Sequence, residues 1–514
     1  VKGGVRKKRT IAAMKKAIRI TAFLAAILIL VAALVACRDS GDDSETTTGS
    51  NLDTSAPEDT SGGYIKDNLP PNLKFDGMNV RVLYWSDVER PEFEVTEFSG
   101  DIVTDAIYQR NLNIEDRLDV KLVFIGEPGN NNNRTGFVNK VMASAGDRAY
   151  DIIATYSRSA GMLAIQGLLT DLNSIDGSYI DPEMPWWPDS LLETAGIGDA
   201  LYYISGDAST NTLHFMYTIY YNTELLSTYG LTDPTEYVQN MTWTLDKLIE
   251  MTSNVYQDLD NDGKKSEGDF YGFCTIYYHC DAFYTGSGLK LVERTDDGSL
   301  LKISDDFFSE KCVNLVDKLG KWLTTNDCFV SLSGGAVPYQ VPFVNGNALF
   351  CQNRVYMADH ISASGLNAVE WKYGLVPTPF YDLNQKDYYT IIGNPFTLYG
   401  IMFDAEDKVP FTAVLECWGS EAYRLTTPAL FETNMKYKYS REETSSQMFD
   451  ILRRTSVFDQ GRIFSNDLIY MSELPSKIMT VGGSWASAMQ AYKKVLTNNI
   501  KKIVESFEDQ LGQK

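Results

Sequence analysis

Beyond residue 76 the apolar positions fall into short runs that switch between two periods. Met78 to Ser86 (MNVRVLYWS) sets Val80, Val82 and Tyr84 two apart, the spacing of a strand. Asp101 to Leu118 then has helical spacing, and Asp119 to Ile125 (DVKLVFI) is strand-like again. The unit repeats: Arg134 to Ala145 is helical, Tyr150 to Tyr156 (YDIIATY) is a short buried strand run, and Ser159 to Leu169 is helical. Strands separated by helices predict a parallel sheet covered on both faces, with ligands beyond the carboxyl ends of the strands.

The N-terminal pattern is different. Residues 1 to 20 carry Lys2, Arg6, Lys7, Lys8, Arg9, Lys15, Lys16 and Arg19 and no acid, and from Ile20 the chain reads ITAFLAAILILVAALVAC. The apolar run has the length of an export signal and lacks the basic stop-transfer flank of a spanning helix. Its end, Leu34-Val35-Ala36-Cys37, resembles the lipobox of bacterial lipoproteins. That resemblance implies cleavage after residue 36, lipid on Cys37, and a place on the outer face of the cell membrane, held there durably by several acyl chains. A simple anchor helix and a plain secreted protein are the alternatives. Met14 opens an equally good signal, so both Val1 and Met14 stand as starts. Residues 37–75 are rich in Ser, Thr, Asp, Gly and Pro with little to bury, the composition of a flexible tether.

Charge narrows the partners. The segment 1–36 holds eight of the 46 basic residues and none of the 68 acids, so 38 basic residues remain and the rest of the chain has a net charge of −30. No Lys/Arg run follows the signal, which excludes nucleic acid as a partner. Beyond Cys37 stand Cys274, Cys280, Cys312, Cys328, Cys351 and Cys417, in no zinc-binding spacing. Disulfides are open to an exported chain, with Cys274–Cys280 and Cys312–Cys328 as the local pairs; free buried thiols are the alternative.

From Tyr150 onward a series of blocks resembles the extracellular solute-binding protein family 1, the lipoprotein receptors of carbohydrate ABC importers. YDIIATYSRSAGMLAIQGLLTDLNSI resembles a strand, a helix and the G-L-L-x-D-L close at Gly167 to Leu172. Tyr220-Tyr221-Asn222 resembles the hinge crossing, and Thr242-Trp243 the entry to the next helix. FYGF (Phe270 to Phe273), FVNGNALF (Phe343 to Phe350) and WKYGLVPTPF (Trp371 to Phe380) follow in the family's order. Where many members have a Trp after the G-x-A-L block, this chain has Asn353-Arg354. The segment Leu425 to Gly461 resembles one found in a subgroup of these receptors.

The resemblance implies an α/β, two-lobed periplasmic-binding-protein-like (type II) fold with mixed sheets, hinge strands and a ligand cleft between the lobes. One lobe is expected at 76–212 plus 376–440, the other at 213–375 plus 441–514. A monomer is expected, partnered by a carbohydrate ligand and ABC permease subunits that sense lobe closure. A surface glycan-binding lipoprotein without a permease and a receptor for a peptide or polyamine are the rival readings.

A sugar site needs aromatic faces for pyranose rings and Asp, Asn, Arg or Glu for paired hydroxyls. The candidates, sought in loops after strands, are Trp85, Tyr156, Ser157, Asp207, Arg354, Asn394 and Trp485. For each of them a packing role stands beside the ligand role. Trp243, Trp322 and Trp418 lie on amphipathic helical patterns and are read as core.

The sharpest local motif is DLDNDGKKSEGD, Asp258 to Asp269, which resembles an EF-hand or dockerin loop. Asp258, Asp260 and Asp262 supply alternating oxygens, Gly263 the bend, Lys264 a carbonyl, Ser266 a hold on a water, and Asp269 the closing carboxylate in place of Glu. A structural calcium is the expectation, and a plain Asp/Gly turn the alternative. No enzyme is expected: His214, His279 and His360 sit in no catalytic motif, GGSWA at Gly482 to Ala486 misses the GxSxG elbow, and no Walker A sequence occurs.

Overall fold

The computed structural model describes residues 65–512 apart from 89, 296, 297, 299, 333–337, 360–368 and 436–441. The basic segment, the apolar run, Cys37 and most of the tether lie outside the described residues. Among the described residues no helix is long and apolar enough to cross a membrane.

Two sheets organise the chain. Their strands are β1 (Met78–Trp85), β2 (Val120–Glu127), β3 (Ile152–Tyr156), β4 (Tyr217–Asn222), β5 (Tyr271–Ile276), β6 (Cys328–Ser331), β7 (Ala348–Arg354), β8 (Tyr373–Val376) and β9 (Thr397–Ile401). The first sheet has the order β9-β3-β1-β2 and the second β8-β4-β7-β5-β6. In the first, β1 runs parallel to β2 and β3 while β9 returns antiparallel. In the second, β5 runs parallel to β6 and β7, and β4 lies antiparallel to β7 and β8. Such mixed sheets, each with its own helices, make a two-lobed α/β molecule.

The alternation that opens the sequence explains the first lobe. Helix Ile102–Leu118 starts where the Asp101 carboxylate accepts from the Thr104 amide at 2.8 Å and stops where Asp119 turns left-handed at φ 48°. All five residues of β3 are buried, as befits a strand covered on both faces.

The chain crosses between lobes along paired segments. Ile204 bridges Tyr399 and Met216 bridges Ile392, both antiparallel. The last helix, Trp485–Gly512, packs against elements of both lobes: Ser506 donates to the Ile165 carbonyl at 2.6 Å, and the Trp485 ring lies 5.1 Å from Phe307. The local cysteine pairs do not form, because all six thiols beyond Cys37 are free and buried.

Candidate functional site

The register of the two sheets brings one class of strand end together. Tyr156 closes β3, Arg354 closes β7, and the antiparallel pairing of β4 with β7 sets Tyr217 directly opposite Arg354. Beyond β5 the turn Tyr277–His279 adds Tyr277 and Tyr278. These residues, with Asn131, Asn394, Arg462, Tyr470 and Glu473 among others, line a cavity of about 840 Å³ between the lobes. That volume lies within the roughly 300–1,000 Å³ of small-molecule sites.

The first lobe presents its wall through the start of helix Ser157–Ile165. The Ser157 amide donates to the Phe396 carbonyl at 3.0 Å and its hydroxyl to the Asn394 carbonyl at 2.7 Å. With its amide oxygen turned toward Arg158, Asn394 accepts from that guanidinium at 2.6 and 2.9 Å. Arg158 also reaches Asn131 at 3.1 Å and Glu473 at 3.1 Å. A methyl group at Gly161 would meet the Ile463 carbonyl at 2.7 Å, so only glycine lets this helix seat against residues 460–463.

The second lobe supplies aromatic and charged groups. His279 is buried beneath the cavity, edge-on to Tyr217 at 5.0 Å and Tyr278 at 4.9 Å. Burial, reinforced by nearby Arg354, holds its imidazole well below the usual range and neutral. Arg462 and Asp281 form a buried ion pair, and burial outweighs the arginine in pushing the Asp281 carboxyl up. Ile469 and Tyr470 are both left-handed, at φ 49° and 55°, a costly backbone for non-glycine residues. The Tyr470 ring there lies under the guanidinium of Arg158, 5.0 Å away, and 5.7 Å from that of Arg134.

Of the residues singled out from sequence, Tyr156, Arg354 and Asn394 line this cavity, and Ser157 sits beside it, holding Asn394. Trp85, Asp207 and Trp485 are elsewhere. Trp85 is fully buried, its indole donating to Thr397 Oγ1 at 2.9 Å while its ring supports Tyr156 at 5.5 Å. Asp207 lies by a separate cavity of about 630 Å³, bonded to Arg453 at 2.7 Å and Thr427 at 3.0 Å. Trp485 is buried and donates to the Phe307 carbonyl at 3.3 Å. Trp243, Trp322 and Trp418 are buried. The sequence reading missed Arg158, Tyr217, Tyr277, Tyr278, Arg462, Tyr470, Glu473 and Lys477. For Tyr217 a signal existed, since it opens the tyrosine-rich strand that leads into the hinge block.

In the acidic loop, carboxylate oxygens of Asp258, Asp260 and Asp262 lie within 4.8 Å of one another. Gly263 takes φ 76° at the bend. The Lys264 amide donates to Asp262 at 2.7 Å, and Ser266 Oγ accepts from the Gly268 amide at 3.2 Å. Asp269 is buried and turned onto the chain, accepting from the Leu259 and Ser266 amides at 3.1 and 2.9 Å. Lys265 points away, onto the carbonyls of Thr325 and Cys328.

Residues 115–298 match the sequence model of a family described as bacterial extracellular solute-binding protein. Among curated proteins none matches the sequence. Among solved structures, the sugar-binding protein MalE from the phytopathogen Xanthomonas citri is 12% identical over 84% of this chain and 99% of its own, with a TM-score of 0.55. A cyclic alpha-maltosyl-1,6-maltose binding protein from Arthrobacter globiformis is 15% identical over 83% and 99%, with a TM-score of 0.54. The galacto-N-biose-/lacto-N-biose I-binding protein of the ABC transporter from Bifidobacterium longum is 11% identical over 84% and 98%, with a TM-score of 0.53. At these identities the likeness is one of fold, and the fold is the two-lobed one expected.

Proposed function

We propose that this chain is an extracellular solute-binding protein that captures a carbohydrate in the cleft between its lobes and delivers it to an ABC importer. The observation that carries this reading is the cavity of about 840 Å³ at the carboxyl ends of strands from both sheets, lined by five tyrosines and by arginine and asparagine side chains. Tyrosine offers a ring face to a pyranose and a hydroxyl to its substituents, and arginine and asparagine grip paired oxygens. The family matched over residues 115–298 is one of binding proteins, and the sugar-binding relatives of the same fold support a saccharide as ligand. The protein binds without turnover, and the ATP-driven step belongs to its transporter partners.

Lipid on Cys37 and the tether that follows hold this monomeric receptor at the outer face of the cell membrane, close to its permease. The loop from Asp258 takes a calcium ion as a structural clip. Asp258, Asp260 and Asp262 would hold it, while Asp269 is spent on backbone amides. The Asp260 carboxyl supports this: the Asp262 amide pulls it down, yet burial and the Asp262 and Asp258 carboxylates together push it up, and a cation relieves that repulsion.

A thermal-shift screen of the purified chain against mono- and oligosaccharides tests the reading. A saccharide that raises the melting temperature in a concentration-dependent way supports it. Stabilisation by peptides or polyamines alone contradicts it.

A further inference from the structure

We propose that the saccharide taken by this cleft is anionic, bearing carboxylate, sulfate or phosphate groups. The inference rests on the carbohydrate reading and names the ligand class for the same site.

The first ground is a local reversal of charge. The chain as a whole carries −22. Among the described residues, the cavity is lined by Arg134, Arg158, Arg354, Arg462 and Lys477 against only Asp281 and Glu473, a surplus of three positive charges. A cleft of one sign set in a surface of the other focuses the field on its mouth and draws ligands of opposite charge.

The second ground is the balance of donors and acceptors. Arginine and lysine donate and never accept. A neutral sugar offers hydroxyls that both give and take, and it is served by carboxylates as much as by cations. Here both lining carboxylates are already engaged by lining cations. Asp281 holds Arg462, and Glu473 holds Arg158 at 3.1 Å and Lys477 at 3.3 Å. The acceptors left to the ligand are then neutral, the tyrosine hydroxyls and the amides of Asn131, Asn132 and Asn394, whereas the charged lining groups beyond those pairs, Arg134 and Arg354, are donors, which complements a ligand rich in acceptor oxygens.

The third ground is how the cations are held. Arg158 is fixed by Asn131 and Asn394 and lies over the Tyr470 ring. The Arg354 guanidinium lies 4.4 Å over the Phe215 ring. Side chains locked in this way lose little freedom when an oxyanion arrives. Glu473 shows where one fits, since its carboxylate sits between Arg158 and Lys477.

The test is calorimetric titration of the full chain with matched pairs of probes. Digalacturonate is set against the neutral galactose disaccharide of the same linkage, a sulfated disaccharide against its unsulfated form, and a hexose 6-phosphate against the free hexose. Maltotetraose and lacto-N-biose complete the neutral set. The expected result is that one anionic probe binds at least about tenfold more tightly than its neutral counterpart, with affinity falling as salt rises. The pair that responds identifies the anionic group. Lys477→Met, a change on a half-exposed side chain, lowers that affinity about tenfold while the chain melts as before. Neutral probes that bind as well as or better than their anionic partners overturn the anionic inference and leave the carbohydrate reading standing. Binding by no saccharide of either kind overturns both.

Discussion

Arg158 and Glu473 meet at 3.1 Å across the cleft, one from each lobe, with side chains only 7% and 17% exposed. Arg158 follows β3 of the first sheet, whereas Glu473 begins a helix, Glu473–Thr480, that packs on helix Glu310–Leu323 of the second lobe. The pair therefore links the two walls of the cavity. Glu473→Gln weakens this link and is expected to shift the ligand-free protein toward a more open form. Small-angle scattering should give a larger radius of gyration for the variant than for the parent. Equal radii would mean that the contact does not bias lobe closure.

The acidic loop makes a separate prediction. Calcium added to the metal-stripped chain should raise its melting temperature, and Asp260→Ala should abolish the rise without altering saccharide affinity. The loop adjoins helix Leu245–Thr252 and is built apart from the residues that line the cleft. Equilibrium dialysis that finds no bound calcium at millimolar ion would contradict the clip.

Glu416 predicts a pH dependence of stability. Burial pushes its carboxyl up to about 7, against bonds from the Trp187 indole and the Asp181 amide that pull it down. The folded state thus holds this proton more tightly than the unfolded chain. Its contribution is full below the ordinary carboxyl range and is lost as pH rises through about 7. Glu416→Gln should flatten that fall and stabilise the protein above pH 7 by up to about 3 kcal/mol, read from melting curves across pH. A variant with the parent's pH profile would contradict the assignment.

The six free thiols should resist a water-soluble disulfide reagent in the folded protein and all react after unfolding. Burial pushes Cys312 up to about 12 and raises Cys280, Cys328 and Cys417 as well, so little thiolate is present at neutral pH. Fast reaction of the native chain, or fewer than six thiols after unfolding, would contradict this.

The indoles nominated from sequence behave as core. Trp85→Ala and Trp485→Ala should each cost about 3–5 kcal/mol of stability through the cavity left behind. Their positions fit the packing alternative rather than the ligand role. Trp85 ends a strand, where ligand-contacting residues gather, but β1 lies between β3 and β2 in its sheet and the indole is fully buried. Trp485 opens a helix after a glycine pair, which looks exposed in sequence, yet Phe307 and Tyr492 enclose it.

What was legible followed from local periodicity. The strands and helices from Met78 to Ile165 were visible because each buries its own apolar pattern, and Tyr156 and Asn394, nominated from loops after strands, both line the cavity. Arg354 stood out as a departure from a familiar block. The opposite wall was not legible. Arg462, Tyr470 and Glu473 come from a region of short helices and turns with no clear period, and they reach the cleft only through contacts distant in sequence. Arg158 stands just before the helical run that begins at Ser159, with no local pattern to mark it, and Asn131, Asn394 and Glu473, distant in sequence, enclose it.

The central claim, that the inter-lobe cleft holds a carbohydrate, is tested most directly by titrating the best saccharide from the thermal screen into the parent chain and into Arg158→Ala. Tight one-to-one binding by the parent is predicted, with an affinity lower by about a hundredfold in the variant while its circular dichroism is unchanged. Equal affinity in the two proteins, or no saccharide binding by the parent, would contradict the account.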